Sequence, residues 1–114
     1  MPYRDLDVLD AAETAADRIS RLIERSNRSP RQLIHATQLQ KSAQSVSANI
    51  GEGFGRRRGA DCDYRLEIAR GEAEEAIKHL RANFRTNRLS AADYWPLHNL
   101  LVVIVKMLSS ILNR

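Results

Sequence analysis

Four apolar stripes, each recurring at alternating spacings of three and four residues, constrain this chain more than any other feature. The first is Leu9, Ala12, Ala16, Ile19 and Ile23, and the second is Leu33, Ala36, Leu39, Ala43, Val46 and Ile50. The third is Leu66, Ala69, Ala73, Ala76 and Leu80, and the fourth is Tyr94, Leu97, Leu101, Ile104, Leu108 and Ile111. Such spacing puts one apolar face on a helix, so the pattern predicts helices over about residues 5–25, 30–50, 60–84 and 90–113. Aromatic residues are only 5% of the chain, which favours helix over sheet. The breaks between stripes are short, and short connections make sequence neighbours antiparallel. The expected fold is all-α, an antiparallel up-down-up-down four-helix bundle, as one domain over residues 1–114. Helices of this length span roughly 30 Å. Alanines on the first three stripes let the axes approach closely.

Local signals suggest where the helices start and stop. Ser29-Pro30-Arg31-Gln32 reads as a capping box with proline in the first helical position. Ser90, with Asp93 three residues on, opens the last helix. Gly51, Gly53 and Gly55 read as turn formers that supply positive φ after the second helix. Glu52 lies where the helix dipole disfavours an acid, so it calls for a cation, with Arg56 or Arg70 as the partner. Asp61–Arg65 and Glu74–Lys78 are spaced as exposed helix pairs. Gly71 sits mid-helix. It marks a close approach of another backbone, on the side shared with Tyr64 and Ile68, or it is a tolerated defect.

The fourth helix carries more apolar surface than a four-helix monomer covers. Leu100, Val102, Val103, Val105, Met107 and Leu112 surround its main stripe. The expectation is a homo-oligomer, with Leu100, Val103 and Met107 on one side of the contact and Tyr64, Ile68 and Gly71 as the other candidate patch. The alternative is a fatter intramolecular core with a few exposed valines. His98, Asn99 and Lys106 interrupt the run, so it reads as too short and too polar to span a membrane, and no membrane partner is expected. The first ten residues hold no apolar signal core, and Cys62 is the single cysteine. Both features lead to the expectation of a cytoplasmic protein with a reduced thiol.

No catalytic constellation is visible, so no enzyme and no cofactor or metal are expected. His35, His79 and His98 lie on three different predicted helices without ligand spacing. The glutamates of the third helix form no Glu-x-x-His pair. The formal net charge is +4, and most of the basic residues are arginine, the side chain best suited to bidentate phosphate contacts. Arg56, Arg57 and Arg58 at a turn are the leading candidates for nucleic-acid contact, with Arg31 and Lys41 as extensions. Arg25, Arg28, Arg81, Arg85 and Arg88 are also basic, but helix alternation sends them to the end opposite the triple arginine. The competing reading is solvated charge, or contacts to acidic protein surfaces.

Two segments, SVSANIGEGFGRR (Ser45–Arg57) and YRLEIARGEAEEA (Tyr64–Ala76), carry a resemblance. They resemble the bacterial four-helix-bundle family encoded in intervening sequences of large-subunit ribosomal RNA genes. They are also similar to the accessory variability proteins of diversity-generating retroelements. The residues that match are Asn49, Ile50, Glu52 and Gly53, a basic turn, then Leu66, Ile68, Ala69, Arg70, Gly71 and Glu75. Gly51 stands where many relatives carry alanine, and Gly71-Glu72 where many carry Gly-Ser. The resemblance implies an antiparallel bundle, a ring-like homopentamer, and structural roles for Asn49, Glu52, Gly53 and Arg70. In the retroelement branch it implies a basic surface serving RNA or DNA and a reverse transcriptase.

Overall fold

The computed structural model describes residues 5–113 and shows four helices. They are α1 (Asp5–Asn27), α2 (Ala36–Phe54), α3 (Ala60–Arg85) and α4 (Ala91–Leu112). α1 and α3 each pack on α2 and α4, and the diagonal pairs do not meet among the described residues. Contacts at the helix ends show the antiparallel course. Arg25 near the end of α1 meets Asp93 at the start of α4. Asn49 late in α2 meets Arg65 early in α3. Arg70 early in α3 meets Ser109 late in α4. The result is an elongated four-helix bundle of 47 × 25 × 18 Å.

The third and fourth stripes form the core as expected, and the second does except for Ala36, which is partly buried. On α1 the buried face is Val8, Ala12, Ala15, Ile19, Leu22 and Ile23, so Leu9 and Ala16 of the expected stripe lie only partly buried at its edge. Ile19, Leu39, Ile50, Leu66, Leu80, Leu101, Ile104, Leu108 and Ile111 are fully buried. Ala12, Ala43, Ala69, Ala73 and Ala76 are buried among them, so their small side chains sit where axes approach. Three of the four helices lie within two residues of the expected bounds. Ser90 caps α4 as anticipated, its Oγ accepting from the Asp93 N–H at 3.2 Å.

The start of α2 departs from expectation: it lies at Ala36, not Pro30, and the Ser29–Gln32 capping box does not form. Residues 28–35 instead run as irregular chain held by side chains. Ser26 Oγ accepts from the Leu33 N–H at 2.7 Å, and Ser29 Oγ from the Arg31 N–H at 3.2 Å. Asn83, fully buried on α3, embraces Ile34: its Oδ1 accepts from Ile34 N–H at 2.8 Å and its Nδ2 donates to Ile34 C=O at 3.1 Å. Leu33 reaches the core from this loop. Several such contacts outweigh a helix cap worth about 1 kcal/mol.

The end of α2 also differs. Gly51 and Gly53 are helical, and Gly55 is right-handed at φ −73°, so none of the three supplies positive φ. Gly53 is small because α3 is close: a Cβ there would lie 3.2 Å from Leu66 Cδ2 and 3.3 Å from Arg65 Cβ. Gly71 is the reverse. It is exposed, with nothing within 4 Å of an added Cβ, so the expected backbone approach is absent within this chain. The two expected helix pairs are re-partnered: Arg65 reaches Asn49 at 3.3 Å, and Lys78 meets Glu75 at 3.4 Å.

α4 has 22 residues and is long and apolar enough to cross a membrane by length and composition, contrary to the reading of its sequence as too short and too polar. One stripe of it is bundle core, which is how it is used in this fold.

Candidate functional site

The arginines fall at two ends of the bundle, with different surroundings. At one end lie the close of α1, the 28–35 loop, the end of α3 and the start of α4. Arg31 Nη1 donates to the Asn87 carbonyl at 2.8 Å, and Arg88 Nη1 to the Gln32 carbonyl at 2.9 Å. Arg25 meets Asp93 at 3.3 Å. Arg28, Arg81 and Arg85 are exposed and make no ion pair among the described residues. Arg18, Arg21, Arg25 and Arg28 line a cleft of about 480 Å³ between α1 and α4, with Leu22, Pro96 and Leu97 along it and Glu24 and Asp93 as its only acids.

The α2–α3 turn is at the other end. Arg56 meets Glu52 at 3.7 Å, the pairing expected for Glu52. Arg58 meets Asp63 at 2.9 Å and donates to the Ile111 carbonyl at 3.4 Å, which also suits the C-terminal pole of α4. Arg57 is exposed and makes no ion pair among the described residues. Asp61 is exposed nearby, so the triple arginine sits in mixed charge rather than a basic field. The five candidate residues for nucleic-acid contact therefore do not share a surface. Arg56, Arg57 and Arg58 lie at one end and Arg31 at the other. Lys41 is exposed on α2, roughly 22 Å from Arg56 along the helix.

Three of the four motif residues lie near the α2–α3 turn, and the fourth, Arg70, lies further along α3. Asn49 Nδ2 donates to the Ser45 carbonyl at 2.9 Å, while its Oδ1 accepts from Arg65. Gly53 admits α3, and Glu52 holds Arg56. Arg70 ties α3 to Ser109 on α4 at 3.2 Å.

The six residues expected at an oligomer contact lie on two separate faces. Tyr64 is 61% exposed, Ile68 is half-buried and Gly71 is open. These occupy the outward side of α3, and Ile68 lies one turn from Arg65, which reaches α2. Leu100 and Met107 are half-buried and Val103 is 38% exposed. They continue a three-four series from Pro96, which lines the cleft beside α1. One patch is therefore on the outward side of α3, and the other on the α1 shoulder of α4.

Two arrangements escaped the sequence reading. His35 precedes α2 with φ 56°, and its ring packs edge-on against His79 at 5.5 Å. Glu75, one turn earlier on α3, lies 3.8 Å from His79. Only the redirected loop brings His35 there. Trp95, 47% exposed, closes an aromatic group with Phe84, Tyr94 and His98. Phe84 and Tyr94 stack at 4.3 Å. Cys62 is fully buried. Among the described residues, no group of three or more His, Cys, Asp or Glu side chains is placed to hold a metal ion.

Fold and surface together define a small helical-bundle protein whose distinguishing features are arginine-rich ends and uncovered apolar shoulders. The family model described as 23S rRNA-intervening sequence protein matches residues 4–110, and the chain belongs to that family. Among solved structures, it is similar to a protein of unknown function from the S23 ribosomal protein family of Bacteroides thetaiotaomicron. The two are 29% identical, the match covers 96% of this chain and 98% of that one, and the TM-score is 0.90. No curated protein matches the chain.

Proposed function

We propose that this chain is a non-enzymatic, homo-oligomeric bundle that binds nucleic acid, or a protein that handles nucleic acid, through its basic surface in the cytoplasm. The observation that carries the nucleic-acid half is the crowding of Arg25, Arg28, Arg31, Arg81, Arg85 and Arg88 at one end, where few acids offset them. Exposed guanidinium groups at that density attract phosphate from a distance and hold it bidentately. Arg57 offers a lesser contact at the far end. The self-association half rests on α4, where Trp95 and Val103 are exposed and Leu100, Val102 and Met107 only half-buried. A pentamer is the subunit number that the family resemblance suggests.

The test is RNA and DNA affinity measured by fluorescence anisotropy across a salt series. Arg28→Ala with Arg85→Ala should weaken binding and reduce the salt slope by roughly 0.7–0.9 for each phosphate no longer neutralised. Arg57→Ala should do less. If the wild type binds neither polymer at low salt, the reading fails.

A second reading, a protein-interaction module without nucleic-acid binding, is favoured by one observation. Arg56 and Arg58 are already matched to Glu52 and Asp63, as residues that organise the fold would be. Retention of a defined partner after nuclease treatment, together with a flat salt series for RNA, would support it.

A further inference from the structure

Among the described residues, Trp95 is the large apolar side chain that the fold leaves in water at its arginine-rich end, where it is 47% exposed. It stands apart from the shoulder of Leu100, Val103 and Met107. That series continues from Pro96 beside α1, whereas Trp95 leans on Phe84 of α3, with ring centroids 5.9 Å apart. Phe84 is in turn stacked on the buried Tyr94. Tyr94 and His98 meet the indole at steep angles, 4.9 and 5.1 Å away. Three rings brace the indole without covering it. A ring held in this way gives up little conformational freedom when a second flat group settles on it.

Its surroundings are basic. Asp93 is the only acid between residues 76 and 114, and it is matched to Arg25 on the α1 side. The Arg70–Ser109 and Phe84–Trp95 contacts set one antiparallel register for α3 and α4, and that register puts Arg81 level with His98. Arg81 lies one turn before Phe84, so it shares the side of α3 that meets α4. Arg81 and Arg85 are exposed and make no ion pair among the described residues. Pro96, the next residue after Trp95, borders the cleft that holds Arg18, Arg21, Arg25 and Arg28. The indole therefore stands between two banks of guanidinium groups, one on α3 and one on α1.

Resting on the nucleic-acid binding proposed above, we infer that this end takes an unpaired strand: a nucleobase stacks on Trp95 while the arginines on either side hold the flanking phosphates. A flat apolar ring set among cations suits a partner that alternates flat rings with negative charges, as a single strand does. A duplex offers the same phosphates but keeps its base faces stacked on one another, so it can use the arginines and not the indole. Every base has a π-face, so the contact selects for strandedness rather than for sequence.

Trp95 is the only tryptophan of the chain, so its emission reports on this position without a label. The experiment titrates the full chain at low salt with oligo-U and oligo-dT strands of about 16 nucleotides, and with the same strands annealed to their complements. The single strands should quench Trp95 emission and bind more tightly than the duplexes, which should leave the emission unchanged. Trp95→Ala, followed by anisotropy, should weaken single-strand binding by roughly 5- to 150-fold while keeping its salt slope and its duplex affinity. Trp95→Phe should recover part of that loss. A wild type that binds neither polymer overturns the nucleic-acid reading itself. A wild type that binds strand and duplex equally, with Trp95 emission unmoved, leaves that reading standing and overturns the stacking contact. So does a Trp95→Ala variant that loses duplex and single-strand affinity alike. Emission already shielded from acrylamide before any oligonucleotide is added shows the indole covered by a second copy, and also overturns it.

Discussion

The two ends of the bundle solve the same problem, turning the chain between antiparallel helices, by different means. At the α2–α3 end the turn is brief: α2 continues through two glycines, Gly55 closes it, and α3 begins at Ala60. Its charged side chains pair mostly with neighbours close in sequence, Arg56 with Glu52 and Arg58 with Asp63. At the other end, residues 28–35 lie open over the bundle and are held by bonds from far along the chain: Asn83, Arg88 and, reciprocally, Arg31 on Asn87. The first turn is written in local sequence. The second depends on a distant asparagine, and its backbone has no regular structure to fall back on.

That contrast predicts a graded series of effects. Asn83→Leu should be the most damaging, because it leaves the Ile34 N–H and carbonyl without their buried partner; a loss of about 2–4 kcal/mol by urea denaturation is expected. A change under about 0.5 kcal/mol would show that the loop does not need its clasp. The glycine pair comes next. Gly53→Ala presses a methyl toward Arg65 Cβ and the Cys62 carbonyl, and should cost on the order of 1 kcal/mol net of its helix gain. Gly51→Ala, with nothing within 4 Å, should instead stabilise by about 0.5–1 kcal/mol. The same sign for both would break the distinction between them. Ser90→Ala removes the one side-chain N-cap seen among the described residues and should cost about 1 kcal/mol, with fraying visible by amide exchange at the start of α4. Smallest is Glu52→Gln at the local turn: its pair with Arg56 is largely exposed, so a change within about 0.5 kcal/mol is expected, and less as salt is added.

Much of this molecule was legible from residue spacing. The stripes gave helix number, order and antiparallel course, and every residue of the fourth stripe is buried. The excess apolar surface of α4 was likewise legible, and Val103 and Trp95 remain exposed in the single chain. The arginines were harder to place. Their identity was plain, and their division between two ends followed from alternation, but the acids around each were not. Only packing showed that Arg58 reaches Asp63 and the end of α4, while Arg28 and Arg85 stay free of ion pairs among the described residues. The His35–His79 contact had no signal in the sequence, because it requires the loop to abandon helix just where a capping box invites it.

The sequence by itself determined the inward faces of α3 and α4 and most of that of α2, since the energy of burying an apolar stripe is summed over a whole helix and few local errors can undo it. On α1, where apolar residues stand side by side, packing chose Val8, Ala15 and Leu22 over Leu9 and Ala16. The tertiary structure decided where α2 begins, what each glycine is for and which arginines are left to meet a partner. Those outcomes hang on one or two contacts of about 1 kcal/mol each, from residues dozens of positions away, and no local pattern can weigh a neighbour that arrives only when the chain has folded.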